Sequence, residues 1–422
     1  MRSIALVDCN NFYVSCERLF NPKLRNKPVV VLSNNDGCII ARSEEAKNVG
    51  IKMGEPLHLC QNLIKAHNVE VYSSNYTLYG DISNRIMGFL KNYTSKLEIY
   101  SIDEAFLDLT QVPKVEQSSF IQKIKKEIYQ NFGIPVSVGL APNKVLAKIA
   151  SKKAKKSDGT FNYFNLDAQG VVQTLSQIYV QDIWGIGRQC SKKLNSMGVY
   201  TAQELKNYDI GLVKKKFGVV GSRIQYELKE LYCIELEDCV SNKKQIISSK
   251  SFGSTLTKLN DLEQAVSNFV TTACSKLRGQ NSYARSISVF IQTNRFSEEK
   301  QYFNSRSAVL SIGQNSTSVF ISVAKKLLKA IFLNGFKYKK AGISLSMIEN
   351  TQNSQDVLME TNDFKTNPAL VKIMDDINSV YGKNTVLYAA CGKLEKQKFT
   401  PRSEQKSQKF TSSWKELLTV KI

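Results

Sequence analysis

Two short apolar runs in this chain meet carboxylates, and that pairing limits what it can fold into. Ile4-Ala5-Leu6-Val7 reads as a short buried strand and ends on Asp8. Residues 98–109, Glu-Ile-Tyr-Ser-Ile-Asp-Glu-Ala-Phe-Leu-Asp-Leu, read as a hairpin whose tip is acidic at Asp103-Glu104. Adjacent carboxylates repel one another and are expensive to desolvate. A fold that gathers them therefore needs a cation. Magnesium prefers hard oxygen ligands and keeps open positions for phosphate oxygens. Two such ions about 3.5–4 Å apart clamp the attacking and leaving oxygens of an in-line phosphoryl displacement. Taken alone, each acid is better read as a solvated strand end.

The remaining pattern alternates strands with helices. Phe12 to Phe20 reads as a helix, Val29 to Leu32 as a strand after Pro28, and Asn34-Asn35-Asp36-Gly37 as a turn. The stretch 39–49 has helical character and stops at Gly50. Phe120, Ile121, Ile124 and Ile128 recur at helical spacing before Gly133; Ile134 to Leu140 is a strand; a further helix starts near Asn143 and runs into Lys152–Lys156. These elements predict an α+β sheet with helices on one face. From about 171 to 240 the pattern is helical. From about 249 to 348 it reads strand, helix, strand, strand, helix, strand, with Ile287, Val289 and Ile291 alternating and a helical stripe over 315–333. After about 350 the chain turns polar, and residues 395–413 are expected to be flexible.

Bulk properties narrow the function classes. A chain of 422 residues predicts two to four domains. The formal net charge of +21 points to a polyanion, since neutralising phosphates releases counterions. Residues 241–350 hold 16 lysines and arginines against 5 acids, a net +11 that marks a DNA-holding surface. Acidic membrane is the competing target, but no basic amphipathic helix of the lipid-binding kind is evident. No apolar run approaches the roughly 20 residues that span a bilayer, and Asp8 interrupts the N-terminus before a signal core could form. A soluble cytoplasmic protein is expected. Nine cysteines without a C-x-x-C pair argue against disulfides and structural zinc. His58 and His67, the only histidines, are expected to be structural, which disfavours histidine-based acid–base chemistry.

The residues around the carboxylates carry a resemblance. Tyr100-Ser101-Ile102-Asp103-Glu104-Ala105-Phe106-Leu107-Asp108 is similar to the S-I-D-E-[AV]-[FY]-x-D signature of Y-family DNA polymerases. Asp8-Cys9-Asn10-Asn11-Phe12-Tyr13-Val14-Ser15-Cys16-Glu17 resembles that family's opening motif. Val30-Val31-Leu32-Ser33-Asn34-Asn35-Asp36-Gly37-Cys38, Ser73-Ser74-Asn75-Tyr76-Thr77-Leu78-Tyr79 and Tyr381-Gly382-Lys383 resemble the UmuC group, the catalytic subunits of bacterial DNA polymerase V and their mobile-element relatives. The resemblance covers essentially the full chain, including Trp414.

That resemblance implies an α+β multidomain fold, a right-hand polymerase with a ferredoxin-like palm, small fingers, a helical thumb and a βαββαβ little finger. It implies palm and fingers in 1–170 (fingers about 17–75), a thumb with a helix-hairpin-helix in 171–240, a little finger in 241–350, and a tail in 351–422. It implies that Asp8, Asp103 and Glu104 are catalytic and hold two Mg2+ ions, with the carbonyl of Cys9 adding a ligand. Arg42, Lys47 and Lys156 would grip the dNTP triphosphate. The chain departs from the common Tyr-x-x-Arg pair, having Glu44-Glu45-Ala46-Lys47 instead, so a point-charge ammonium replaces a forked guanidinium. Phe12 and Tyr13 have a plain reading as core aromatics; the resemblance puts both among the dNTP-binding residues. By family position Tyr13 is the steric gate, whose ring clashes with a ribose 2′-hydroxyl.

Trp184-Gly185-Ile186-Gly187 followed by lysines resembles a helix-hairpin-helix, whose glycines, Gly185 and Gly187, admit a DNA phosphate close to backbone N–H groups. Lys250, Arg278, Arg285, Arg295 and Arg306 are candidate phosphate contacts of the little finger. Gln355, Leu358 and Met359 resemble the Gln-x-x-Leu-[Phe/Met] peptide that docks on a sliding clamp. The resemblance further implies primer-template DNA and dNTP as substrates, a processed UmuD-type dimer and RecA as partners, no membrane, and error-prone translesion synthesis in the SOS response. Two rivals stand beside this reading. One is a catalytically idle DNA-docking factor that recruits the clamp; the other is a template-independent nucleotidyl transferase or cyclase on a similar palm.

Overall fold

The computed structural model describes residues 1–237, 241–350, 368–392 and 399–417. The chain divides into two compact units, residues 1–33, 37–240 and 405–422 in one, and 34–36 and 241–404 in the other.

In the first unit the elements are β1 (Ile4–Cys9), α1 (Phe12–Phe20), β2 (Val29–Leu32), β3 (Ile39–Arg42), α2 (Glu44–Asn48), α3 (Gln61–Ala66), β4 (Glu70–Ser73), α4 (Tyr76–Leu90), β5 (Leu97–Ile99), β6 (Glu104–Asp108), α5 (Gln117–Phe132), β7 (Val136–Ala141), α6 (Lys144–Ala154), β8 (Thr160–Asn162) and four helices α7 (Ala168–Ser176), α8 (Arg188–Ser196), α9 (Ala202–Asn207) and α10 (Ile210–Leu228). The main sheet has the order β5-β6-β1-β7-β8. β1 is its centre, antiparallel to both β6 and β7.

Every residue of β1 is buried. Ala5 and Val7 pack with Ile121, Ile124 and Ile128 of α5 and with Ile82 and Ile86 of α4. Ile4 and Leu6 pack with Val145, Leu146 and Ile149 of α6. Helices thus cover both faces, not the single face expected. An unbroken apolar run, rather than an alternating one, is what a strand buried on both faces requires.

The expected helix over 39–49 splits in two. Ile39-Ile40-Ala41-Arg42 pairs with β2 as a strand, and the helix begins only after Ser43, whose hydroxyl accepts from the Ala46 N–H. β-branched residues beside an available sheet edge favour the strand, and the Ser cap resets the period. A small second sheet, β3-β2-β4, results. His58 and His67 are both exposed at the surface beside it.

The second unit follows the expected order: β9 (Ile246–Leu256), α11 (Leu259–Gly279), β10 (Ser282–Thr293), β11 (Phe303–Gln314), α12 (Thr317–Ile331) and β12 (Tyr338–Asn350). Its sheet is antiparallel, β11-β10-β12-β9. Ile287, Val289, Ile291, Ala341, Ile343 and Leu345 lie buried in one core with Phe269, Val270, Phe320 and Leu328 of the two helices. The opposite face carries small hydroxyls. Ser288 stands opposite Ser307 and Ser344, with Phe290 and Gly342 next to them.

The described residues beyond 350 are not a free tail. Helix α13 (Pro368–Val380) is tied to α11 through Arg278 and Asp375, and Asn268 donates to the Cys391 carbonyl. Of the segment expected to be flexible, the described part is bound. Phe399 is buried in the second unit's core, and Gln405, Ser407 and Gln408 hydrogen-bond to Ser73 and Asn75 within the first unit. Polar composition was misleading because long-range side-chain and backbone hydrogen bonds, with Phe399 and Phe410 as apolar anchors, hold this segment.

Candidate active site

The hairpin β5–β6 places the acids. Its tip is shaped by Ser101, whose hydroxyl accepts from the backbone N–H groups of Asp103 and Glu104 and donates to the Asp103 carboxylate at 2.5 Å. A serine that offers its oxygen to nearby N–H groups builds such a turn. The register of β1 against β6 sets Asp8 directly opposite Glu104, and the Cys9 N–H donates to the Asp103 carbonyl at 2.9 Å. Asn11, in the left-handed region at φ 47°, turns the chain from β1 straight into α1, so Phe12 and Tyr13 begin beside the acids.

Two ammonium groups answer these acids. Lys155 Nζ lies 2.6 Å from Asp8 Oδ2, and Lys148 Nζ lies 2.7 Å from Glu104 Oε2. A third, Lys144, pairs with buried Glu98 at 2.5 Å. The three lysines sit at i, i+4 and i+11 along α6 and its C-terminal end, about three turns and one face. Gly139 of β7 lets that helix come close, since a Cβ there would stand 2.1 Å from the Ser151 backbone nitrogen. Burial pushes the Asp8 carboxyl up to about 6; Lys155 opposes the rise and Glu104 adds to it. Burial and the adjacent acids push the Cys9 thiol well above its usual value.

Asp8, Cys9, Phe12, Tyr13, Arg42, Lys47, Asp103 and Glu104 all line one cavity of about 540 Å³, which Lys155 also lines. Among the described residues, no three of His, Cys, Asp and Glu stand as a finished metal-ligand set. The donors nevertheless fit a hard divalent cation: three carboxylates gathered at a solvent-open edge, two of them carrying the chain's own ammonium groups as stand-in positive charge.

Lys156 is not in the cavity lining; Lys155 is. The helical spacing from Lys144 and Lys148 was the signal that selects it. Lys47 is held by Glu44 at 2.6 Å, and the Arg42 guanidinium donates to the Ile51 carbonyl. Tyr13 stacks on Tyr79 at 4.5 Å and meets Tyr76 edge-on. Gly185 adopts φ +88° in a turn and Gly187 precedes α8 as its N-cap. Trp184 reaches back to the hairpin, donating to the Tyr100 hydroxyl at 2.8 Å, and Lys148 sits over the Tyr100 ring at 4.5 Å.

In the second unit Lys250, Arg295 and Arg306 are exposed. Lys250 pairs with Ala341 and Arg306 with Val289, so both start from the helix-covered side at the sheet's edges rather than from the serine face. Arg285 donates to the Ser311 carbonyl. Arg278 is not a phosphate contact: its guanidinium holds Asp375 at 2.6 and 2.8 Å and also donates to the Asn315 carbonyl and Thr317 hydroxyl. A half-buried arginine with all those partners is structural. Gln355, Leu358 and Met359 lie outside the described residues.

Residues 7–152 match the impB/mucB/samB family, 243–358 match that family's C-terminal domain, and 368–420 match a domain of unknown function, DUF4113. The protein UmuC of Salmonella typhimurium is 39% identical over 99% of this chain and 100% of its own length. The DNA polymerase IV of Clostridium acetobutylicum is 27% identical over 93% of this chain and 98% of its own. A solved Y-family DNA polymerase chimera of Dbh and Dpo4 superposes with a TM-score of 0.67 at 23% identity, over 82% of this chain and 99% of that one. The fold is that of the right-hand Y-family polymerases, and by its full-length identity to UmuC the chain belongs to the impB/mucB/samB family.

Proposed function

We propose that this protein extends a primer across damaged template by two-metal phosphoryl transfer at the Asp8–Asp103–Glu104 edge. It is a DNA-directed DNA polymerase of the Y family, acting in translesion synthesis. The observation that carries the site is the register that opposes Asp8 to Glu104 beside Asp103, in a cavity that also holds cationic and aromatic side chains. When bound, two magnesium ions would neutralise the attacking and leaving oxygens. Asp8, Asp103 and Glu104 would hold them, with the Cys9 carbonyl as a further oxygen donor.

The chain's own residues do the rest by positioning and charge. Arg42 and Lys47 line the cavity on the side of α2 and would meet the triphosphate. Lys155, at 2.6 Å from Asp8, balances the acid before substrate arrives and is then free to turn toward phosphate oxygens. Tyr13, held against Tyr79, would close the sugar side and exclude a 2′-hydroxyl. On this reading residues 1–170 serve as palm and fingers, 171–240 as thumb, 241–350 as little finger and 351–422 as a partner-binding tail. A sliding clamp at Gln355–Met359, a processed UmuD-type dimer and RecA are the proposed partners, in the SOS response. No helix among the described residues is long and apolar enough to cross a membrane.

The test is primer extension with magnesium and dNTPs on a template carrying an abasic site, with and without clamp, UmuD-type dimer and RecA. Wild type should extend past the lesion and Asp103→Asn should not. DNA binding without extension in every combination would sink the polymerase reading and leave a DNA-docking factor.

A further inference from the structure

The wall that carries Tyr13 is tied down from far away in sequence. Tyr13 on α1 stacks on Tyr79 of α4, ring centroids 4.5 Å apart and 18° from parallel. Tyr79 is fully buried, and its hydroxyl donates to Glu17 Oε1 at 2.5 Å. The same Glu17 oxygen accepts from the Ser407 hydroxyl at 3.0 Å, across 390 positions of sequence. Glu17 is itself almost wholly buried, and burial raises its carboxyl above the usual range.

Further contacts run from the same segment. Asn75 stands at the N-cap of α4, yet makes no side-chain cap bond there. Its amide instead donates to the Ser407 hydroxyl at 3.0 Å and to the Gln408 carbonyl at 3.0 Å. An Asn diverted from capping forgoes about 1 kcal/mol of helix stability, so its alternative partners matter. Phe410 stacks flat on Phe20 of α1 at 4.3 Å and 6°. Thr411 donates to Asp81 of α4 at 2.7 Å. The segment also adds to the exposed edge of β4, where Ser73 and Gln405 exchange hydrogen bonds at 3.0 Å.

We propose that residues 405–411 form a strap that clamps α1 to α4 and thereby positions the Tyr13–Tyr79 wall, making Ser407 a positioning residue for sugar selection. The strap touches no reacting atom. It acts on the one aromatic pair whose placement decides how much room a sugar has, and it does so from both helices at once. The inference rests on the reading of Tyr13 as the sugar gate. Loosening a supporting contact by a fraction of an ångström widens a steric gate without removing it.

The experiment uses the full chain on primer-template with magnesium, measuring kcat/KM for a deoxynucleotide and its ribonucleotide, beside hydrogen exchange of residues 12–20 and 76–90. Ser407→Ala should raise ribonucleotide insertion relative to deoxynucleotide by about fivefold, the loss of roughly one hydrogen bond. Ser407→Thr, which keeps the hydroxyl, should behave as wild type. Both Ser407→Ala and Phe410→Ala should speed exchange in the two helices. Unchanged exchange in both variants overturns the strap. Faster exchange with an unchanged sugar ratio, while Tyr13→Ala lowers discrimination, overturns its role in sugar selection. If Tyr13→Ala itself leaves the ratio unchanged, the gate reading fails, and exchange alone reports whether the strap positions the wall.

Discussion

The two α+β sheets of this protein are built from similar parts and used differently. The five-stranded sheet is covered by helices on both faces, and its proposed chemistry sits at a strand end, where Asp8 and Glu104 face one another under two lysines. The four-stranded sheet is covered on one face and leaves the other lined with Ser288, Ser307 and Ser344. A doubly covered sheet concentrates charge at one strand end, partly shielded from water, where a few groups decide much. A half-open sheet spreads many weak contacts over a surface, none of them decisive.

The sharpest way to break this contrast is to remove one acid and one hydroxyl. Asp8→Asn should lower primer extension by roughly 10³-fold, several kcal/mol of transition-state stabilisation. Ser288→Ala should change it by less than about threefold. Comparable losses in single-turnover assays would refute the distinction.

Close backbone approach offers a second comparison. At Gly139 an added Cβ meets backbone atoms of Ser151 and Ala150; at Gly342 it meets the Ser249 Cβ at 2.3 Å and the Phe290 ring at 2.7 Å. At Gly139 every clash is with backbone, which cannot yield; at Gly342 the ring can turn, and the Ser249 Cβ moves only with its strand. Gly139→Ala should cost about 3 kcal/mol and pull Lys148 and Lys155 off the acids, and Gly342→Ala about 1–2 kcal/mol, by denaturant unfolding.

The arginines of the second unit divide by partner. Arg278→Ala should lower stability by about 2 kcal/mol, since it strands partly buried Asp375, and leave the salt dependence of DNA binding unchanged. Arg306→Ala should leave the melting temperature unchanged and reduce the slope of log affinity against log salt by about one. Binding titrations across salt, run beside thermal melts, separate the two; a changed slope for Arg278→Ala would restore it as a phosphate contact.

The smallest effect concerns Glu17. Its folded carboxyl titrates above its unfolded value, so the proton it retains stabilises the fold at low pH, and that contribution is lost as pH rises through the raised value. Glu17→Gln, which still accepts from Tyr79 and Ser407, should match wild type near pH 4 and melt slightly higher than wild type at pH 8. A difference that shrinks with rising pH would reverse the sign.

Much of this was legible in order and type. The limits of α1 and β2 and the βαββαβ succession of the second unit follow from local periodicity and turn chemistry, whereas the cavity residues from Asp8 to Glu104 were picked out by the resemblance of their motifs. The half-helix over 39–49 was misread because Ile39-Ile40-Ala41 chooses between strand and helix by whether a sheet edge is near, which no local pattern states. Lys155 and Lys156 are indistinguishable by type, and only their helical phase relative to Lys144 and Lys148 separates them, the first being the one that meets Asp8.

By itself, then, the sequence determined which groups exist and which strands carry them, because side-chain period and residue chemistry act within a few positions. The tertiary structure alone decided which cation meets which acid, that Arg278 is bound to Asp375, and that Ser407 braces Glu17. Those are meetings of residues far apart in the chain, and they are set by packing and hydrogen-bond geometry to within an ångström, a precision that charge and composition do not carry.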